Sequence, residues 1–300
     1  MKRLYAHLAA LFAAGLLQTL AAAPAQAAES YDNCTNYVAS IPAVINKQGT
    51  WCLNKDVSTA IDTGIAIDIQ ANNVTLDCNN FKIGGLGAGI DSRTTGINAV
   101  GRSNITVRNC SVRGFFYGMN LEGDNQLVED NRFDGNTWIA IGVEGDGSIV
   151  RRNMVSTTGG ASGFPNEIKA LGIYTRYDVY IEDNYVSGVI AAADSNGFAI
   201  GIQTGDNTSG AIYHNRVTKV LGDGTGWANG ISMWGELSDR ITVNHNHLVG
   251  GAAQSVGIRC HETMADNNVL IESNVANGFQ ISTEGCLYAP EEWNTFHPLP

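Results

Sequence analysis

The chain has 300 residues, with 29 acidic against 18 basic side chains and a formal charge of −11. That balance excludes a nucleic-acid binder, which neutralises phosphates with dense Lys/Arg patches, and equally a protein that adheres to anionic membrane. Hydrophobic residues make up 44% and glycines number 35, enough apolar side chain for a core and enough glycine for many tight corners.

In chain order, Lys2 and Arg3 precede an apolar run from Leu4 to Ala23, followed by Pro24-Ala25-Gln26-Ala27. A basic start, an apolar middle and an Ala-x-Ala site predict a secretory signal peptide over 1–27, leaving Ala28 first. Losing Lys2 and Arg3 takes the charge from −11 to −13. Every later segment falls short of the ~20 apolar residues of a membrane span. The expectation is an exported protein, periplasmic or extracellular, with no span in its mature chain. Six cysteines in such a chain predict disulfides. Placement along the repeats favours Cys34–Cys52, Cys78–Cys110 and Cys260–Cys286. No CxxC or His-x-His spacing offers a metal site.

Residues 28–63 carry no repeat and read as an N-terminal cap over an open coil end. From Gly64 the alternation Ile65-Ala66-Ile67-Asp68-Ile69 begins a stack. A motif then recurs: an aliphatic residue, two polar ones, usually an asparagine, a free position and an apolar residue. It first occurs within Asn72–Phe81, then at Val107–Val112, Val128–Phe133, Val150–Val155, Ile181–Val186, Ile212–Val217, Val243–Leu248 and Ile271–Ala276. Its central residues are Asn79, Cys110, Asn131, Asn153, Asn184, Asn215, Asn246 and Asn274, advancing by 31, 21, 22, 31, 31, 31 and 28. Gly-apolar pairs interleave with them at Gly96-Ile97, Gly118-Met119, Gly142-Val143, Gly172-Ile173, Gly201-Ile202, Gly230-Ile231, Gly257-Ile258 and Gly278-Phe279. Self-similarity at this period means stacked units that cover each other's apolar faces. Asparagines at one register are what a buried bend needs, because its backbone cannot be left unpaired. The fold expected is all-β: a single-stranded right-handed parallel β-helix of about eight coils over 64–285, with residues 286–300 as a C-terminal cap. One such domain is expected to be a monomer.

Three neighbouring coils lengthen together, over Ser156–Leu171, Ser187–Ile200 and Thr218–Asn229, and loops on a rigid scaffold are where function concentrates. Alternation gives the outward face of the Gly-apolar strand. Two positions after the glycine stand Asn98, Asn120, Glu144, Tyr174, Gln203, Ser232, Arg259 and Gln280. Four after it stand Val100, Glu122, Asp146, Arg176, Gly205, Trp234, His261 and Ser282. The loops add Glu167, Lys169, Asp194, Asn196, Asp223, Trp227 and Asn229. Exposed tryptophans mark interaction, and flat rings beside amides suit a sugar chain. Trp234, Trp227, Gln203, Asn196 and Asn229 are therefore the candidate substrate-binding residues. Glu122, Glu144 and Asp146 read as solvated surface, and His214 and His245, just before ladder asparagines, as turn residues.

From about residue 64 to 281 the chain resembles the pectin-lyase-like β-helix superfamily, closest in style to carbohydrate-binding and sugar-hydrolase repeat proteins, including NosD-like periplasmic β-helices. The resemblance rests on Asn72-Asn73-Val74-Thr75-Leu76-Asp77, on Ser103-Asn104-Ile105-Thr106-Val107-Arg108-Asn109 followed by Val112-Arg113-Gly114-Phe115, and on the two ladders. It implies fold more than activity. The Asn-Thr-Asp, Asp-Asp, Gly-His-Gly and Arg-Ile-Lys blocks of that superfamily's polygalacturonases are absent, as are the Asp-Pro-His of alginate epimerases and the calcium-binding aspartates of pectate lyases.

Three readings stay open. A polyuronate lyase or epimerase would use His261 or Tyr174 as base and Arg176 or Arg259 to stabilise the enolate-like charge, with Ca²⁺ bridging an acidic protein to an acidic polymer. An inverting glycoside hydrolase would use Asp194 and Asp223, one coil apart, as carboxylates roughly 6.5–9.5 Å from each other. A non-catalytic envelope or secreted module would bind glycan or protein through the same face.

Overall fold

A computed structural model describes residues 33–161, 169–251, 253–261, 269–286 and 291–299. The expected signal peptide and Glu167 lie outside the described residues, as does the side chain of Lys169. Residues 35–300 form one unit, built from three parallel sheets of ten strands each among the described residues. We label the sheets A, B and C. Within one turn the chain runs through A, then C, then B, as in Ile105–Arg108, Ser111–Arg113 and Tyr117–Glu122. The fold is thus an all-β parallel solenoid.

The core is a set of aliphatic columns. Sheet A stacks Val107, Val128, Val150, Ile181, Ile212, Val243 and Ile271, and sheet B stacks Ile97, Met119, Ile141, Ile173, Ile202, Ile231 and Ile258. All are closed to solvent. Each such side chain contributes about 1.5–3 kcal/mol by leaving water, and parallel pairing superposes it on its own kind about 4.8 Å away.

The bend between sheets A and C is held by the asparagines. Asn153, Asn184, Asn215, Asn246 and Asn274 each accept, through Oδ1, the backbone N–H of the ladder residue one turn earlier at 2.9–3.1 Å. Each donates Nδ2 to a sheet A carbonyl of the preceding turn. The residue just before each asparagine has a left-handed backbone, with φ between 52° and 57° from Asp130 through Arg152, Asp183, His214 and His245 to Ser273. His214 and His245 are therefore turn residues, as expected. In the glycine column of sheet B a Cβ on Gly257 would stand 2.5 Å from the Ser282 carbonyl oxygen, and one on Gly230 2.6 Å from that of Gly257. The column excludes a side chain because successive turns approach too closely there.

Cys78–Cys110 and Cys260–Cys286 join neighbouring turns, with Cα atoms 4.7 and 5.0 Å apart. Cys34 and Cys52 are disulfide-bonded too, and no cysteine is free among the described residues. No helix of the described residues is long and apolar enough to cross a membrane.

Four features differ from the expectation. Strand pairing starts at Asn36–Tyr37, inside the segment read as a cap, and Thr295–His297 in the tail pairs with Val275–Asn277. Asn294 extends the asparagine ladder, accepting the Asn274 N–H at 3.0 Å. These added rungs give ten strands per sheet instead of about eight coils. Gly142 is not in the glycine column: Met119 pairs with Ile141 and Asn120 with Gly142, so Ala140-Ile141 takes that place. Alternation could not separate the two pairs, because Ile141 and Val143 are both fully buried. Gly278, at φ 72°, is a corner, and the last sheet B strand is Ile281–Glu284. Glu284, rather than Gln280, consequently pairs beside Arg259.

Candidate functional site

The three lengthened connections run from sheet C to sheet B, and strand takes up their ends. Sheet C strands continue to Thr158, Ile190 and Leu221, and sheet B strands start at Lys169, Phe198 and Ala228. The outward side of sheet B beside these connections presents three columns of side chains.

The first column holds the residue just before the glycine position. Tyr117, Ile139, Leu171, Ile200, Asn229 and Val256 follow one another in register. Ile139, Leu171 and Ile200 are buried in a cluster separate from the solenoid core, with Tyr117, Trp138 and Tyr174 packed on it. Trp138 stacks on Phe116 at 4.7 Å between ring centroids and meets Tyr117 edge-on at 4.8 Å. Neither Tyr117 nor Trp138 was singled out from the sequence. Tyr117 stands immediately before a small-apolar pair and Trp138 two places before one, a signal that only becomes a column once the register is known.

The second column runs Asn120, Gly142, Tyr174, Gln203, Ser232, Arg259 and Glu284. Gln203 is 6% exposed, Ser232 0% and neighbouring Asn229 2%. Among the described residues, Gln203 Oε1, Asn229 Oδ1 and Ser232 Oγ have no hydrogen-bond partner. A buried polar atom left this way costs about 1–3 kcal/mol, and here three adjoin on one face.

The third column places Glu122, Glu144 and Arg176 in register. Trp234 and His261 extend it, held by Trp234 N–H to Thr204 and His261 N–H to Met233. Trp234, 41% exposed, stacks on His261 with centroids 4.3 Å apart, and His261 Nδ1 is buried without a partner among the described residues. Arg259 lies over the Trp227 ring at 5.6 Å and 3.0 Å from Glu284 Oε2. Arg176 Nη1 lies 3.3 Å from Glu144 Oε2. Gly205 leaves room for this corner: a Cβ there would meet Arg176 Cγ and the Tyr174 hydroxyl, each at 2.8 Å.

Burial raises the Glu144 carboxyl above its ordinary range, with Arg176 opposing the shift and Glu122 adding to it. Burial, then the Glu144 charge, pushes the Tyr174 phenol up to about 12, and the same two causes raise Tyr117. Glu144 and Glu122 are thus part of the site, where the sequence had suggested solvated surface.

Tyr174, Gln203, Arg259, Trp227, Asn229, Trp234 and His261 come together on this face, with Arg176 at one end. Arg176 is three rungs from Arg259 and His261, about 14 Å along the axis at the spacing of parallel strands. Asp194 and Asp223 sit on loops of neighbouring turns, and Asp223 is already engaged with the other loop. Asp223 Oδ2 accepts the backbone N–H groups of Ser195 at 2.8 Å and Asn196 at 3.1 Å. Asn196 Oδ1 accepts the Thr225 N–H at 3.0 Å in return. Asp223 and Asn196 clasp two neighbouring loops, and Asp194 stands exposed with φ 61°. Among the described residues no group of three or more His, Cys, Asp or Glu is placed to hold a metal ion.

Set against known proteins, the chain matches no family model, no curated protein and no solved structure.

Proposed function

We propose that this protein binds a polysaccharide chain along the outward face of sheet B, as a β-helix of the pectin-lyase-like kind working outside the cytoplasm. The observation that carries this reading is the row of Gln203, Asn229 and Ser232, buried and unpartnered among the described residues, with Tyr174 one rung before Gln203 and Trp227 and Trp234 at the two ends of the strand that carries Asn229 and Ser232. Rings of this size offer flat apolar area with little ordering cost, and the amides and hydroxyl offer partners to sugar hydroxyls. The rungs repeat about every 4.8 Å, so an extended chain lying along the axis meets several in succession. Disulfides between turns suit an oxidising compartment. A lyase step has less support, because a Tyr174 phenol pushed up to about 12 is a poor base near neutral pH.

The test is intrinsic tryptophan fluorescence and calorimetry of the purified protein against a panel of oligosaccharides. Binding of at least one of them is expected, with Trp234→Ala and Gln203→Ala each weakening it fivefold or more. Silence across the panel would sink the proposal, and so would binding indifferent to both substitutions.

One observation favours hydrolysis as a second reading: Glu144, raised by burial, directly beside Glu122 on the neighbouring rung. Carboxyls one rung apart suit the ≈ 5–5.5 Å of a retaining glycosidase better than the wider inverting gap. Release of reducing ends that disappears in both Glu144→Gln and Glu122→Gln would support it.

A further inference from the structure

We infer that the glycan this face takes is neutral and not a polyuronate. The inference rests on the polysaccharide reading above and names its substrate class. A carboxylate on every sugar needs a cation free to receive it, ideally the two-pronged guanidinium of arginine. The two arginines on this part of the face already have carboxylates. Arg176 pairs with Glu144 at 3.3 Å, and Arg259 with Glu284 at 3.0 Å. Both pairs are formed between neighbouring rungs of the same sheet, so the solenoid itself supplies the partner. Glu122 adds a further negative charge one rung beyond Glu144. Among the described side chains, three carboxylates stand against two guanidiniums on this stretch, within a chain of charge −11.

Three uncharged groups between the ion pairs lack partners among the described residues; the unbonded buried atoms of ionisable side chains nearby are Arg176 Nε and Glu284 Oε2, within the ion pairs themselves, and His261 Nδ1. Gln203, Asn229 and Ser232 are each more than nine-tenths buried, and each has a side-chain oxygen with nothing bonded to it. Whichever end of an amide faces a ligand, its charge is zero and its complement is a hydroxyl or an acetamido group. These three residues lie on the two rungs between the ion pairs, since Gln203 pairs with Tyr174 on one side and Ser232 with Arg259 on the other. The two ends of the site are closed to anions and its middle is built for hydroxyls. A polyanion entering here would leave its charges uncompensated beside Glu144 and Glu284, whereas a neutral chain loses nothing by the ion pairs and gains the missing hydrogen bonds.

The experiment compares cello-, xylo-, manno- and N-acetylglucosamine hexamers with hexagalacturonate and hexamannuronate. Each is titrated by calorimetry at 50 and 500 mM NaCl, with and without Ca²⁺. The expected result is that a neutral hexamer binds at least tenfold tighter than either uronate, with affinity changing less than twofold between the two salt concentrations. Glu144→Gln and Glu284→Gln each release an arginine, and each should tighten uronate binding at least fivefold at low salt while leaving Gln203 and Ser232 in place. A uronate binding as tightly as the neutral hexamers, weakened by salt or dependent on Ca²⁺, would overturn the neutral-substrate inference and leave polysaccharide binding standing. Failure of all six hexamers to bind would overturn both.

Discussion

Asn184 tests the account of the fold most directly. It is 2% exposed and makes four side-chain hydrogen bonds. Its Nδ2 donates to the Val150 carbonyl at 2.9 Å and to Asn215 Oδ1 at 3.0 Å. Its Oδ1 accepts from the Asn153 backbone N–H at 2.9 Å and from Asn153 Nδ2 at 3.0 Å. In Asn184→Ala two of the partners keep another bond, because Asn153 Nδ2 still reaches the Val128 carbonyl and Asn215 Oδ1 still receives the Asn184 N–H. The Asn153 N–H loses its partner inside the bend, and the Val150 carbonyl, in the sheet A ladder beside Ile181, loses one bond. At about 1–3 kcal/mol for a buried group stripped of its partner, the substitution should cost about 2 kcal/mol. Asn184→Asp keeps the acceptor but turns a carboxylate toward Asn215 Oδ1, so it should be no better at neutral pH. Urea unfolding followed by far-ultraviolet circular dichroism gives the value, with Gln70→Ala as the control. Gln70 is exposed and its side chain bonds only Asp68, so its loss should stay within about 0.5 kcal/mol. If Asn184→Ala costs no more than Gln70→Ala, the ladder is not what holds the bend.

Three further outcomes are expected. Gly257→Val should destabilise by about 1–3 kcal/mol or more, because a Cβ would lie 2.5 Å from the Ser282 carbonyl oxygen and 3.0 Å from Ala276 Cβ; a melting temperature equal to that of the parent would contradict the close approach. Asp223→Ala should speed amide exchange at Ser195 and Asn196, whose N–H groups it receives, and lower stability by about 1–2 kcal/mol; unchanged exchange would show that the loop clasp is idle. The Asp130 carboxyl is held below its ordinary 3.8 by hydrogen bonds from Arg152, against the opposing effect of burial. A lowered folded value means its stabilisation is present above the unfolded value and is lost as pH falls through the folded one. Asp130→Asn should therefore flatten the fall in melting temperature below about pH 4. Both side chains are 43% exposed, so the effect is small, and superimposable profiles for variant and parent would remove it.

Much of the fold was legible because a solenoid repeats its physics in sequence. The spacing of Asn131, Asn153, Asn184, Asn215, Asn246 and Asn274 announced the bend, and the aliphatic residues three places before them announced the core. The Cys78–Cys110 pairing followed from placing both cysteines on neighbouring coils, and Cys260–Cys286 from their shared place at the C-terminal end. Reading weakened where two local patterns fitted equally well. Ala140-Ile141 and Gly142-Val143 are both small-apolar pairs, and Gly278-Phe279 looks like a sheet B pair while forming a corner. Both slips displaced the outward residues that follow, which is why Glu144 appeared in Tyr174's column instead of Arg176's and Glu284 was not placed on the face.

Sequence by itself determined the repeat, the parallel stacking it requires, and which residue types face outward on the middle rungs. Only tertiary structure decided which of those residues are spoken for. Arg176 and Glu144 are 32 positions apart and Arg259 and Glu284 are 25 apart, yet each pair meets because successive turns superpose. Asp223, a plausible catalytic acid from its spacing, instead receives two backbone N–H groups of the preceding loop. Gln203, Asn229 and Ser232 are ordinary polar residues until the register puts them side by side under cover. A partner across turns depends on register to within one residue, and one residue is the difference between a side chain inside the stack and one on its surface.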